Sequence, residues 1–322
     1  MRGTWVDPAR SAQTLSAWCE QWRATKRDLR PSTLARLDST LRAQVLPAFG
    51  SRKLDAIGNV EIHAWVTRLT SEGLSAASAR KAYFALNELL QAAVADRRLS
   101  ANPAQNVPLP AERYEEQRFF DGEEIARLMD AVPSRYSSLV SVAVYGGLRF
   151  GELAGLKRNR VNLLRGRVTV AETLIEISGH ATLGPPKTRN GRRTVPLPRS
   201  VVTELEAHLT EYADNQNDSF VFTGPEGGPL RRGLFRTRVW VPAVKAADLE
   251  GLRFHDLRHT FVALWVDAGV DPQEVSVRAG HSSVAFTLDR YGHLFEDDED
   301  TISERLDAVL QESKKARRKK AR

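Results

Sequence analysis

Cysteine is nearly absent from this 322-residue chain. Cys19 is the only one, which excludes an intramolecular disulfide and a cysteine-rich metal site. It lies in an amphipathic segment and is expected in a core, where free cysteines are habitually found. No apolar run approaches the roughly 18 to 20 residues of a membrane helix. The N-terminus MRGTWVDPAR also lacks the apolar stretch of a signal peptide. A soluble, cytoplasmic protein without a membrane partner is therefore expected. Zinc-type spacings such as HExxH and HxH are missing as well, so the four histidines crowded near the C-terminus (His255, His259, His281 and His293) do not predict a metal site.

The length suits two domains with separate cores, because single domains usually run to about 100 to 200 residues. A net charge of +7 suggests nucleic acid, but its distribution decides how that is used. The last nine residues, KKARRKKAR, carry seven positive charges, and residues 291–313 carry eight acids against one base. These two segments cancel, so the remaining 290 residues hold +7 by themselves. Any DNA affinity must therefore come from local basic surfaces as well as from the tail.

Apolar periodicity predicts four helices over residues 11–103, at about 15–26, 32–45, 59–73 and 76–97, with Ser32 and Asn59 as N-cap candidates and the fourth helix starting after Ser75. The second is expected to run through Leu34, Leu37, Leu41 and Val45, with Pro47 and Gly50 ending it. Residues 104–118 hold two prolines after the Asn102-Pro103 break, have mixed charge and no periodicity, and read as a linker. Residues 119–295 read as a second domain. Helices at 121–132 and 135–147 precede short strands at 161–163, 166–170, 173–177 and 193–197, and helices return at 199–213, 233–247, 257–269, 272–278 and 283–290. The fold class is thus α+β overall: a helical N-terminal domain, then a mostly helical domain with a small antiparallel sheet. A stub (1–10), an acidic segment with a helix (296–313) and a basic tail (314–322) complete the chain.

Four short motifs hold the chemistry-bearing residues: YGGLRFGEL with Arg149 and Glu152, PKTRNGRRTVPL with Lys187, FHDLRHT with His255 and Arg258, and AGHSSVAFTLDRYGHL with His281 and Tyr291. The Asn190-Gly191 dipeptide between extended runs predicts a β-hairpin that carries Lys187. Singly, each motif has an ordinary reading: a local Arg-Glu pair, a solvated hairpin lysine, a structural histidine beside a surface arginine, or core and surface positions.

Taken in order and spacing, Arg149, Lys187, His255-x-x-Arg258, His281 and Tyr291 resemble the phage integrase family of tyrosine recombinases. The first half resembles the family's SAM-like core-binding domain through RPSTLARLDSTLRAQVLPAFG, GLSAASARKAYFALNELLQAAV and ANPA. Only about ten residues precede Ser11, so an arm-site-binding domain is not expected here, whether the enzyme is a simple one acting on core sites or the chain is a truncated form.

The resemblance implies a site-specific recombinase that integrates or excises a mobile element or prophage. Resolution of chromosome or plasmid dimers is the alternative within the family, and a type IB topoisomerase or a non-catalytic DNA-binding protein the alternatives outside it. Tyr291 would attack a phosphate to give a 3'-phosphotyrosyl link, without metal or ATP. The residue types suit these roles. Arg149 and Arg258 are permanently charged bidentate donors for the transition-state oxygens. A tyrosine, with an ordinary pKa of about 10, needs a proton acceptor, for which His255 is the candidate. Lys187 would protonate the leaving 5'-oxygen, His281 would bond a phosphate oxygen, and Glu152 would orient the cluster. The implied partners are double-stranded DNA, three further protomers in a tetrameric synapse, and an accessory or directionality protein, in a bacterial cytoplasm or nucleoid. The apolar stripe Ile302, Leu306, Val309 and Leu310 would dock on a neighbouring protomer.

Overall fold

The computed structural model describes residues 11–112, 118–177, 179–186, 189–295, 303–304 and 306–311. The chain divides into two compact units, 1–116 and 117–322. Among the described residues no helix is long and apolar enough to cross a membrane.

The first unit is helical: α1 (Leu15–Ala24), α2 (Pro31–Thr40), α3 (Leu46–Phe49), α4 (Asn59–Ser71) and α5 (Ala76–Ala95). Leu15, Trp18, Cys19 and Trp22 form the buried stripe of α1, and they meet Ile62, Trp65, Leu86, Leu89 and Leu90 in one core. Three local expectations are corrected. The α2 N-cap is Arg30, with Pro31 supplying the pre-set first turn, and Ser32 does not cap it. Gly58 caps α4, while Asn59 Nδ2 donates to the Pro103 and Gln105 carbonyls, both at 2.9 Å. The second helical run also passes Pro47, a π turn at Leu41–Val45 carrying it into α3, and it ends at Gly50, the other expected stop. Proline has no N–H for the carbonyl four residues back, and widening the preceding turn lets the helix pass it. Ser75 does cap α5, accepting from the Ser78 amide.

Residues expected to begin a linker at 104 pack on this core instead. Ala104 and Val107 are buried in it, and Tyr83 Oη donates to the Ala104 carbonyl at 2.6 Å. The segment lacks periodicity because its apolar side chains fill gaps between helices rather than forming a stripe.

The second unit opens with α6 (Gly122–Ala131), α7 (Ser134–Gly146) and the short α8 (Phe150–Ala154). Strands β1 (Val161–Asn162), β2 (Arg167–Val170) and β5 (Arg193–Pro196) form an antiparallel sheet in the order β1-β2-β5, with Val168 facing both Val161 and Val195. Strands β3 (Thr173–Ile177) and β4 (His180–Gly184) make a separate antiparallel pair. The remaining elements are α9 (Arg199–Glu211), α10 (Arg232–Phe235), α11 (Val241–Ala246), α12 (Asp256–Asp267), α13 (Pro272–Ala279) and α14 (Val284–Tyr291). A π turn at Arg236–Trp240 again precedes a proline, Pro242.

The strands on either side of Asn190-Gly191 do not pair with each other, so the expected hairpin there is corrected. Asn190 and Gly191 lie in a 3-10 turn, β5 pairs with β2, and β4 pairs with β3. Asn190 Nδ2 donates to the His281 carbonyl at 3.2 Å, tying the turn to the loop before α14 rather than closing a ribbon.

Helix α7 stops because Gly147 takes a left-handed conformation at φ 62°. A Cβ there would overlap the Phe261 ring. Gly147→Ala is therefore expected to destabilise the second unit by about 2 kcal/mol or more, read as a lowered denaturant midpoint for that unit.

Candidate active site

Gly147 turns the chain so that Arg149 becomes the N-cap of α8, and Glu152 sits one turn inside it. Glu152 is only 3% exposed, and its carboxylate accepts four hydrogen bonds. Arg149 donates its backbone N–H at 2.9 Å and Nη1 at 2.8 Å. Arg193 donates Nη1 at 3.1 Å and Nη2 at 2.9 Å. Burial alone would raise this carboxyl, but Arg193, Arg149 and Arg258 outweigh it and hold it down at about 2.

Two helix C-termini anchor the guanidiniums. Arg258, on the first turns of α12, is buried and donates Nη1 to the Gly147 carbonyl at 2.6 Å and Nη2 to the Ala279 carbonyl. Arg149 Nη2 reaches the Gly280 carbonyl at 3.0 Å, and Arg193 Nε the Arg278 carbonyl at 2.6 Å. Burial, followed by Arg149 and Arg193, pushes the Arg258 guanidinium well below its ordinary pKa. Three guanidiniums around one carboxylate make a site that an anion completes.

Gly280, left-handed at φ 65°, ends α13 and sets His281 in place. A Cβ on Gly280 would come within 3.0 Å of the Arg193 guanidinium, so this glycine is required by both conformation and close approach. His281 Nδ1 lies 2.8 Å from Thr287 Oγ1. Its ring is parallel within 5° to that of Tyr291, with centroids 5.9 Å apart. Tyr291, the last residue of α14, is 1% exposed, and its Oη lies 2.5 Å from His259 Nδ1. Burial and then the Arg258 charge hold His281 down to about 3. The same causes hold His255 at about 4, and burial with His255 holds His259 at about 4.

The structure thus brings together Arg149, Glu152, Arg258, His281 and Tyr291. His255 caps α12 with its ring 5.1 Å from that of His259, and the residue on the Tyr291 hydroxyl is His259, not His255. Lys187 lies outside the described residues. Two functional residues were not anticipated. Arg193 reads in sequence as an ordinary strand residue, and only its burial against Glu152 reveals it. His259 follows Arg258 directly in HDLRHT, and its i+4 spacing from His255 was the available signal. Among the described residues, no group of three or more histidine, cysteine or acidic side chains is placed to hold a metal.

Removing one partner from a buried ion pair typically costs about 3–5 kcal/mol, so Arg193→Ala is expected to destabilise the second unit by that amount in urea denaturation, with Arg193→Lys rescuing only part of the loss. The histidines add a pH dependence. Their folded pKa values lie below the unfolded 6.5, so their contribution is present above pH 6.5 and is lost as pH falls through 6.5 toward 3–4. Thermal unfolding of this unit should therefore show a constant Tm above neutrality and a falling one below about pH 6.5, before the carboxylates titrate.

Comparison with known proteins agrees with this geometry. Residues 118–297 match the profile of the phage integrase family, and residues 14–70 match the phage integrase N-terminal SAM-like domain. The ICEBs1 integrase of Bacillus subtilis strain 168 is 26% identical over 295 residues, spanning 88% of this chain and 79% of the relative. The Tn1549 transposon integrase in complex with transposon right-end DNA has the same fold, with a TM-score of 0.76 at 19% identity over 92% of this chain and 100% of that one. A lambda integrase tetramer bound to a Holliday junction gives 0.68 at 18% identity, over 90% and 81% of the two chains. The profile match covers more than half of the chain and every motif from Arg149 to Tyr291, and on these grounds the chain belongs to the phage integrase family as a tyrosine-type site-specific recombinase.

Proposed function

We propose that the chain cuts and rejoins duplex DNA at a core-type site through a 3'-phosphotyrosyl intermediate on Tyr291, integrating or excising a mobile element. The observation that carries this reading is a buried tyrosine near three guanidiniums, Arg149, Arg193 and Arg258, gathered around a single carboxylate, Glu152. A scissile phosphate supplies the further negative charge that three guanidiniums around one carboxylate can take up.

Tyr291 attacks phosphorus, the bond to the 5'-oxygen breaks, and the phosphoester bond is conserved in the enzyme–DNA link. Arg149 and Arg258 offer donors to the non-bridging oxygens, where charge gathers in the transition state. In the tautomer in which His281 Nδ1 accepts from Thr287, Nε2 carries the proton and donates to a phosphate oxygen. His255 lies among Arg258, Arg149 and Arg232, which suits it to a phosphate contact. Lys187 protonates the leaving 5'-oxygen, and no metal or ATP takes part. Phosphate contacts make the affinity salt-dependent. Exchange between two duplexes needs four protomers, a reading supported by the lambda integrase tetramer and by the exposed Leu306, Val309 and Leu310, which offer an apolar face to a neighbour. An accessory protein that sets direction belongs to the same reading.

Two variants test it. Wild-type protein expressed in cells should yield protease-sensitive protein–DNA adducts whose sequence maps the site, and Tyr291→Phe should bind that site but give none; an adduct with the phenylalanine variant would falsify the nucleophile. On the mapped site, Lys187→Ala should cleave about 100-fold or more slowly and recover on a substrate with a 5'-bridging phosphorothiolate, whose leaving group needs no proton. Absence of that recovery removes Lys187 from the acid role.

A further inference from the structure

Tyr291 is buried in this structure. The residue is 1% exposed, and the imidazole against it, His259, is 6% exposed. A phenol that attacks phosphorus must give up its proton during the attack, because the neutral oxygen is a weak nucleophile and the product ester has no place for the proton. The acceptor has to be a protein group already in contact. His259 Nδ1 is such a group, at 2.5 Å, and with the ring proton on Nε2 it accepts the Tyr291 O–H directly. His255 faces His259 across a T-shaped ring contact with centroids 5.1 Å apart. On the other side, the His281 ring stacks parallel to the Tyr291 ring, which fixes the phenol plane while the hydroxyl points to His259.

We propose that His259 is the general base of this recombinase, taking the Tyr291 proton on Nδ1 in cleavage and returning it in rejoining. The inference rests on Tyr291 being the nucleophile. In cleavage the Tyr291 O–H bond breaks, the oxygen bonds to phosphorus, the proton moves to His259 Nδ1, and the 5'-oxygen leaves with a proton from Lys187. In rejoining the 5'-hydroxyl attacks, Tyr291 leaves as the phenol with the His259 proton, and Lys187 is reprotonated. Both groups end as they began.

The surroundings favour a neutral imidazole before the reaction. Burial, His255, Arg290 and Arg253 all disfavour the imidazolium, and Asp256 favours it. Asp256 is itself engaged by Arg253 Nη2 at 2.9 Å. A bound phosphate adds negative charge close to these groups and so raises the basicity of His259 when the proton has to move.

The test uses the full-length protein on a nicked suicide duplex that carries the site mapped by covalent capture. Asparagine places an amide oxygen near the position of Nδ1, so His259→Asn can accept the Tyr291 hydrogen bond but cannot take the proton. Adduct formation by His259→Asn is expected to be at least about 100-fold slower than in wild type at unchanged DNA binding and Tm. The acid limb of the wild-type rate–pH profile should vanish in His259→Asn and persist in His255→Asn. Replacing Tyr291 with a fluorinated tyrosine of lower pKa should shrink the His259→Asn defect, because less base assistance is then needed. Cleavage by His259→Asn within threefold of wild type overturns the proposal and leaves His259 as a positioning residue, and so does loss of the limb in His255→Asn alone. Failure of wild-type protein to form any adduct would instead overturn the nucleophile assignment.

Discussion

One buried carboxylate organises this active site. Glu152 joins the N-terminus of α8 to strand β5 by accepting two hydrogen bonds from Arg149 and two from Arg193. An ionised carboxylate out of water costs several kcal/mol unless it is paired and fully bonded. Two guanidiniums close together are equally unfavourable without an anion between them. The three groups are stable only as a set, so the sheet, α8 and the end of α13 must come together for any of them to be buried. Because Arg193 also holds the Arg278 carbonyl, the position of His281 follows from the same contact.

Helix C-termini supply the remaining anchors. The last carbonyls of a helix lack intrahelical partners and carry the negative end of its dipole. Here α7 and α13 both end in a left-handed glycine, and the carbonyls around Gly147, Ala279 and Gly280 accept from Arg258 and Arg149. Neutral acceptors fix these side chains without cancelling their charge. The glycines of YGGLR and AGH are therefore part of what holds the guanidinium cluster, since each both stops a helix and aims its carbonyls.

Much of this was legible in the sequence. Helix stripes such as Leu15-Trp18-Cys19-Trp22 and the short strands at 161–177 and 193–197 followed from spacing and residue type, while the grouping of Arg149, Glu152, Arg258, His281 and Tyr291 came from the resemblance of their motifs to the phage integrase family. What was not legible depends on tertiary placement. Asn190-Gly191 has the composition of a hairpin turn, but Asn190 finds its partner on the His281 loop and β5 finds β2, so long-range pairing overrode the local signal. Pro47 read as a helix end, yet a π turn carries the helix past it, as another does before Pro242. Arg193 gave no signal, since a strand arginine differs from a buried clasp only by what lies opposite. The segment after Pro103 read as a linker because a chain that fills gaps between helices has no period to detect.

The charges in this site divide their labour by type. Guanidiniums cannot release protons near neutral pH and serve as fixed charge, with the transition state in view. The three imidazoles are kept neutral by burial first, joined by neighbouring positive charges, Arg258 and Arg149 for His255 and His281, and His255, Arg290 and Arg253 for His259, so they do not add to a cluster already rich in cations. A neutral imidazole keeps one acceptor nitrogen and one donor, which is what a site that must move a proton and also bind a phosphate requires. Were His255, His259 and His281 charged, the site would attract phosphate more strongly but would have no acceptor for the tyrosine proton. The same burial that lowers their basicity thus leaves the fixed positive charge to the guanidiniums and the exchangeable protons to the imidazoles.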